Sequence, residues 1–199
     1  MTCNMRVISG KWKGRRLISP TGDLARPTTD RVKESMFDLL GPGELAGVVI
    51  DLFAGSGALG LESLSRGASV AHFVDVQAAS VRTIRENLSA LKVPATDGKV
   101  YTMDWRRALE QIYASAVPIA YVFVDPPYAK QLWEPVLQAV SSLSTPITCA
   151  AVCEHPTRSP LPDKVGWLTR KKNRAYGDIA ISIYEDERAT VAITSRGDV

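Results

Sequence analysis

The sequence of 199 residues predicts an α/β domain with a doubly wound, mostly parallel, seven-stranded sheet, a C-terminal antiparallel hairpin and a small basic N-terminal extension. Three observations carry this prediction. From Val48 onward, short apolar runs alternate with segments of helical periodicity, the pattern of strand–helix–strand units with right-handed crossovers. A glycine-rich segment, Asp51-Leu52-Phe53-Ala54-Gly55-Ser56-Gly57-Ala58-Leu59-Gly60, sits where the first strand of that series turns into its first helix. The patterned region ends in two strand-like runs with no helix between them, which closes the sheet in a hairpin.

Taken in order, Val7-Ile8 and Leu17-Ile18 read as a short hairpin around Gly10 to Gly14. Arg26-Pro27-Thr28-Thr29-Asp30 opens a helix with an N-cap supplied by Thr28, Thr29 or Asp30, and Gly41-Pro42-Gly43 stops it. Strands are expected at Val48 to Phe53, Ala71 to Val76, Lys99 to Met103, Ile119 to Val124 and Ile147 to Cys153, then at Val165 to Arg170 and Ile179 to Tyr184. Intervening helices are expected over Ala58 to Ser65, around Val81 to Leu91, over Trp105 to Ala116 and around Trp133 to Leu143, where Pro135 fits only the first turn. The expected organisation is 1–43 as basic arm and first helix, 44–185 as core, and 186–199 as a loosely ordered tail.

No apolar run approaches the length that spans a bilayer, and the first residues lack a signal-peptide stretch, so a cytoplasmic location is expected. Cys149 and Cys153 are expected as core thiols on one face of a strand, and His155, before Pro156, as a loop residue. No Cys-x-x-Cys spacing or histidine cluster suggests a metal site, and Ser56 and Ser65 have no nearby base. Arg196-Gly197-Asp198 is read as a chance tripeptide. Charge is uneven. Arg6, Lys11, Lys13, Arg15 and Arg16 stand in a segment without an acid, while the remainder is mildly acidic. A second cluster comprises Arg170, Lys171, Lys172 and Arg174. Interleaved with Trp12, Trp167 and Tyr176, these clusters suit a polyanion, although each could also be solvated surface.

The chemistry concentrates at the carboxyl ends of the strands, where open α/β sheets bind ligands. Asp125-Pro126-Pro127-Tyr128 follows the fourth strand. Its two prolines stiffen the turn and donate no N–H, so an acceptor carboxylate, a free carbonyl and an aromatic ring share one corner. That corner suits a flat group bearing an NH2, such as a nucleobase. Gly55 and Gly57 let a ligand approach the backbone, and Gly55-x-Gly57-x-x-Gly60 with Asp75 also matches a dinucleotide fingerprint, leaving a nicotinamide enzyme as a rival on that segment. Asp51 favours an ammonium group over a pyrophosphate there, or is an ordinary strand-end carboxylate. Asp75 can take two ribose hydroxyls, and Asp104 either accepts from an adenine amino group beside Met103 and Trp105 or caps the helix that follows.

This set, Asp51…Gly55-Ser56-Gly57, Asp75, Asp104 and Asp125-Pro126-Pro127-Tyr128, resembles class I, Rossmann-like S-adenosylmethionine-dependent methyltransferases acting on exocyclic amino groups of bases. More narrowly, the segments Arg6 to Leu17 and Arg26 to Glu34, with Tyr176-Gly177-Asp178, resemble the bacterial 16S ribosomal RNA guanine-N2 methyltransferases known as the RsmD family, over roughly residues 5 to 185. The resemblance implies that Asp51, Phe53, Gly55, Ser56, Gly57, Asp75, Asp104 and Trp105 hold S-adenosylmethionine, with Thr28 and Thr29 covering it. It implies that Asp125 and the Pro126 carbonyl accept the two hydrogens of the guanine amino group while Tyr128 stacks on the base, and that no metal takes part. Arg6, Lys11, Trp12, Lys13, Arg15, Arg16, Arg170, Lys171, Lys172 and Arg174 would hold ribosomal RNA, within a small-subunit particle and with no obligate protein partner. The rivals are an adenine-N6 nucleic-acid methyltransferase, for which no sequence-reading domain fits between the core motifs, and a non-catalytic nucleotide-binding module.

Overall fold

The computed structural model describes residues 5–20, 30–41, 43, 45–115 and 117–189. Among them, one eight-stranded sheet runs in the order β3-β2-β1-β4-β5-β8-β7-β6. Strands β1 (Val48–Leu52), β2 (Val70–Asp75), β3 (Gly98–Thr102), β4 (Ile119–Val124) and β5 (Ala150–Pro156) are parallel neighbours. Strands β6 (Lys164–Val165), β7 (Leu168–Tyr176) and β8 (Ile179–Asp186) extend the sheet antiparallel. Helices α1 (Asp30–Leu40), α2 (Ala58–Ser65) and α3 (Ala78–Ala90) build the core of one face with Phe73, Phe123 and Val152. Helices α4 (Trp105–Tyr113) and α5 (Trp133–Ser141) build the other with Ile50, Val122 and Val124. The central strands are buried on both faces, hence their unbroken apolar runs. Every residue of α2 is buried, and a Cβ at Gly60 would come within 2.3 Å of the Phe73 ring, so that helix can lie so close to β2 only with glycine there.

Register positions the carboxyl edge. Leu52 pairs with Val74 on one side and Val124 on the other. Asp75, which ends β2, and Asp125, just past β4, therefore stand at one level on either side of β1. Val124 pairs with Cys153, which brings Glu154 of β5 to that level beside Asp125, and Asp75 pairs with Thr102, two residues before Asp104.

Residues 5 to 17 form the expected hairpin. Arg6 bridges Arg16, Leu17 N donates to Met5 O at 2.8 Å, and a 3-10 turn over Gly10–Trp12 closes the loop. The hairpin is docked on α2 through a buried ion network that periodicity does not disclose. Glu62, fully buried, accepts from Ile8 N (2.8 Å) and Ser9 N (2.9 Å) and pairs with Lys33 Nζ (3.2 Å) and Arg66 Nε (2.9 Å). Lys33 also donates to the Arg6 carbonyl oxygen at 2.5 Å. Both carboxylate oxygens are satisfied, the condition under which a buried ion pair is tolerated.

Several sequence expectations are corrected. The sheet has eight strands rather than seven. The run expected as Val165 to Arg170 is broken at Gly166, whose φ is +57°, into the short β6 and the longer β7, which carries the basic cluster to Tyr176 on the backbone hydrogen bonds of β8. Strand β5 begins at Ala150, not Ile147, so Cys149 precedes it and is exposed, while Cys153 is buried. His155 lies inside β5 rather than in a loop, with Nε2 2.9 Å from Ser182 Oγ. Helix α4 ends at Tyr113 and α5 at Ser141, each short of the expected limit. The tail is not loose at its start. Asp186 completes β8 and is buried, and Arg188 donates to Asp186 Oδ2 (2.6 Å) and Leu143 O (2.8 Å). Residues 190–199 lie outside the described residues, as do Thr28 and Thr29.

Candidate active site

The loop from β1 to α2 is tightly wound. Phe53 (φ +63°), Gly55 (φ +55°) and Gly57 (φ +81°) are all left-handed, and Gly57 N donates to Ala54 O at 2.6 Å. The two glycines are not equivalent. A Cβ at Gly57 would press on Phe73 at 3.3 Å, whereas at Gly55 it would meet nothing nearer than Phe53 O at 4.0 Å. Gly57 serves the turn and the packing, and Gly55 leaves a face of the backbone open.

Asp51 is 2% exposed, and its Oδ2 accepts from Gly60 N at 2.9 Å in the first turn of α2. Burial pushes its pKa up to about 8 against the stabilising Gly60 hydrogen bond, and the neighbouring Asp75 charge adds to the rise. Asp75 receives Gly55 N on Oδ2 (2.9 Å) and Gln77 N on Oδ1 (2.8 Å), so it shapes the loop and keeps a second lone pair on each oxygen. Asp104 is the N-cap of α4, accepting from Arg106 N at 2.9 Å. Trp105 is buried against Phe53 (ring centroids 6.5 Å apart), with the Arg106 guanidinium over its ring at 4.3 Å. Ser56 is also buried, its hydroxyl 3.1 Å from Met5 Sδ, so only its backbone can face a ligand in the loop.

After β4, Asp125 is half-buried and Pro126 buried. The Pro127 carbonyl accepts from Lys130 N at 2.9 Å in the 3-10 turn Tyr128–Lys130. Tyr128 Oη donates to Glu154 Oε1 at 3.1 Å. Burial, and then the Asp125 charge, push the Cys153 thiol well up, so it stays protonated and is no nucleophile. Among the described residues no cluster of metal-ligating side chains occurs, and no helix is long and apolar enough to cross a membrane.

The basic residues divide. Lys11 lies over the Trp12 ring (4.3 Å), Arg15 donates to Ala90 O (2.9 Å), and Lys13 and Arg16 are exposed. Arg6 pairs with Asp30 at 3.0 Å. In β7, Lys171 and Arg174 are exposed, and Lys172 Nζ donates to Leu39 O at the end of α1 (2.6 Å). Arg170 is instead drawn inward, donating to Leu161 O (2.7 Å) and ion-paired with Asp163, which leaves it little to offer a ligand. Beyond Thr169 the outer edge of β7 pairs with no strand among the described residues. Arg174 pairs with Ile181, which pairs with Glu154, so Arg174 lies level with the Asp125 corner three strands away.

Two residues that the sequence reading passed over support this edge. Asn87 of α3 donates from Nδ2 to Ser56 O and to Ile18 O, both at 2.9 Å, and accepts from Ile18 N on Oδ1 at 2.8 Å, joining the glycine loop to the end of the N-terminal hairpin. Glu154 anchors Tyr128. A polar residue amid the helical stripe of Val81, Ile84 and Leu88, and a charged one amid an apolar strand, were the available signals.

Known proteins resemble this chain over most of its length. The family described as Conserved hypothetical protein 95 matches residues 5–185. A Bacillus subtilis protein, provisionally named rRNA methyltransferase YlbH, is 38% identical over 182 residues, covering 91% of this chain and 98% of its own. The Escherichia coli (strain K12) ribosomal RNA small subunit methyltransferase D is 33% identical over 184 residues, 92% of this chain and 90% of its own. A solved Escherichia coli structure, provisionally named methyltransferase yhhF, superposes with a TM-score of 0.77 at 32% identity, over 92% of this chain and 98% of that one. The fold is thus the Rossmann-like fold of class I methyltransferases, and the chain belongs to the Conserved hypothetical protein 95 family.

Proposed function

We propose that this protein transfers a methyl group from S-adenosylmethionine to the N2 amino group of a guanine in 16S ribosomal RNA, acting in the cytoplasm on a small-subunit particle. What carries this reading is the register that sets Asp75 and Asp125 at one level on either side of the glycine loop, with Tyr128 beside Asp125. The relatives' names support a ribosomal RNA substrate, and the resemblance of Arg6 to Leu17 and of Arg26 to Glu34 supports guanine over adenine.

The residues present fit the cofactor. Gly55 has open space beside its backbone, and Asp75 can accept a diol on its remaining lone pairs. Asp51, a buried carboxylate, would be relieved by a cation such as an amino-acid ammonium. Phe53 and the backbones of Ser56 and Gly57 would line the same site, Asp104 would accept from the adenine amino group beside Trp105, and Thr28 and Thr29 would cover it. Bound S-adenosylmethionine supplies an electrophilic methyl group.

The rest falls to the protein. A guanine amino nitrogen is a poor nucleophile because its lone pair is delocalised. Asp125 and the Pro126 carbonyl would accept its two hydrogens, favouring a pyramidal nitrogen, and Tyr128 would fix the plane of a base that must be unpaired or flipped. Asp125 then takes up the proton, a light task because an alkylated amine is acidic. Lys11, Trp12, Lys13, Arg15, Arg16, Lys171 and Arg174 would hold the RNA backbone, with Arg6 and Lys172 at their margins. In this division, 1–43 presents RNA to a catalytic core of 44–185.

The test is methyl transfer from labelled S-adenosylmethionine to unmethylated small-subunit particles, followed by nucleoside digestion. Label should appear as N2-methylguanosine, and Asp125→Ala should abolish transfer while calorimetry still shows cofactor binding. Label in N6-methyladenosine would overturn the choice of base, and lost cofactor binding in D125A would overturn the role of Asp125.

A further inference from the structure

We propose that Glu154 is a positioning residue for this reaction, fixing where the Tyr128 ring stands when it meets the base; this rests on the function proposed above. Glu154 is 3% exposed in β5, whose neighbours on either side, Cys153 and His155, are likewise buried. A carboxylate at that depth is costly and a valine there would not be, so its presence calls for a polar duty. Its Oε1 accepts the Tyr128 hydroxyl at 3.1 Å, and its main-chain oxygen accepts Trp133 Nε1 at 2.6 Å. Trp133 is itself buried, with its ring 5.7 Å from that of Tyr128 and tilted by 52°.

One residue of β5 thus secures both the far end of the tyrosine and the indole packed beside it. The prolines stiffen the backbone ahead of Tyr128 but leave its side-chain torsions free, and an aromatic χ2 is broad. Because the hydroxyl oxygen lies on the χ2 axis, the hydrogen bond to Glu154 fixes χ1, and the Trp133 ring packed alongside limits rotation about χ2. Glu154 also stands next to Asp125 across the β4–β5 pairing, where Val124 meets Cys153. The strand that holds the ring is therefore the neighbour of the strand that delivers the acceptor, and the two groups meeting the base share one rigid frame.

The experiment compares the parent protein with Glu154→Ala, Glu154→Gln, Tyr128→Phe and the Glu154→Ala/Tyr128→Phe double variant, in methyl transfer to small-subunit particles and in cofactor calorimetry. Thermal melts check that each is folded. Glu154→Ala and Tyr128→Phe should each lower kcat about tenfold, a fraction of the hundredfold that an ångström of misplacement can cost. The KM for S-adenosylmethionine should stay put. Glu154→Gln, which keeps an acceptor oxygen, should restore most of the rate lost in E154A, and the double variant should fall no further than either single. An E154A variant with the parent's kcat, or a double variant with multiplied losses, would overturn the proposal. In parallel, NMR of tyrosine-labelled protein reads Tyr128 without turnover, and its ring signals should shift or broaden in E154A. If the parent transfers no methyl group to ribosomal RNA, the proposed function fails; the NMR comparison still decides the clamp, and unchanged ring signals would overturn it.

Discussion

Asn87 and Ser56 are joined by a 2.9 Å hydrogen bond from the Asn87 side-chain amide to the Ser56 carbonyl, and the same amide nitrogen holds Ile18 O. One buried side chain thereby links the proposed cofactor loop to the end of the basic hairpin. Asn87→Ala would strand the Ser56 carbonyl in the interior and release Ile18. It should cost about 2–3 kcal/mol of stability and weaken S-adenosylmethionine binding, as read by urea denaturation and calorimetry. Cofactor affinity equal to the parent's would show that the loop holds its shape without this link.

Asp51 predicts a pH dependence. With its pKa raised from 3.8 to about 8 in the folded chain, the native state keeps a proton that the unfolded state has lost across that window. Stability from this group is therefore present at low pH and falls as pH rises toward 8. Asp51→Asn retains an oxygen for Gly60 N–H and removes the charge. In melts without cofactor it should be more stable than the parent above pH 8 and indistinguishable from it near pH 4, while losing cofactor binding. In the parent, cofactor affinity should climb with pH up to about 8.

Glu62 and Lys33 should be worth more as a pair than apart. Glu62→Gln leaves the buried Lys33 ammonium without its counter-charge, and a loss of about 3–5 kcal/mol is expected. Adding Lys33→Met should recover part of it. Limited proteolysis should find the hairpin of residues 5 to 17 newly accessible in the single variant, because Ile8 and Ser9 both rely on the Glu62 carboxylate.

Neighbouring basic residues of β7 should behave differently. Lys171→Ala and Arg174→Ala should each weaken RNA binding and reduce the salt dependence of log K by about one. Arg170→Ala should chiefly lower stability, since its guanidinium is committed to Leu161 O and Asp163. Equal effects of all three on RNA affinity at constant stability would contradict this division.

The strand–helix alternation was legible because parallel strands buried on both faces leave uninterrupted apolar runs, and α2 falls over Ala58–Ser65 as expected. Strand starts were less legible. Nothing in Ile147 to Cys149 says that pairing begins at Ala150, and the basic run after Leu168 looks nothing like a strand, although β8 holds it as one by backbone bonds. At the site, the residues on the edge could be named from their spacing, whereas their supports could not. Asn87 and Glu154 act on partners 31 and 26 residues away. Such contacts exist only once the sheet order is fixed. The docking of the basic hairpin through Glu62 belongs to the same class, with Ile8 and Glu62 separated by 54 residues.

The most direct test of the central claim is mass spectrometry of nucleosides from 16S ribosomal RNA of a strain lacking this protein. The account predicts the loss of one N2-methylguanosine, restored by the parent gene and not by a gene encoding Asp125→Ala. An unchanged methylguanosine inventory in the deletion strain would contradict it.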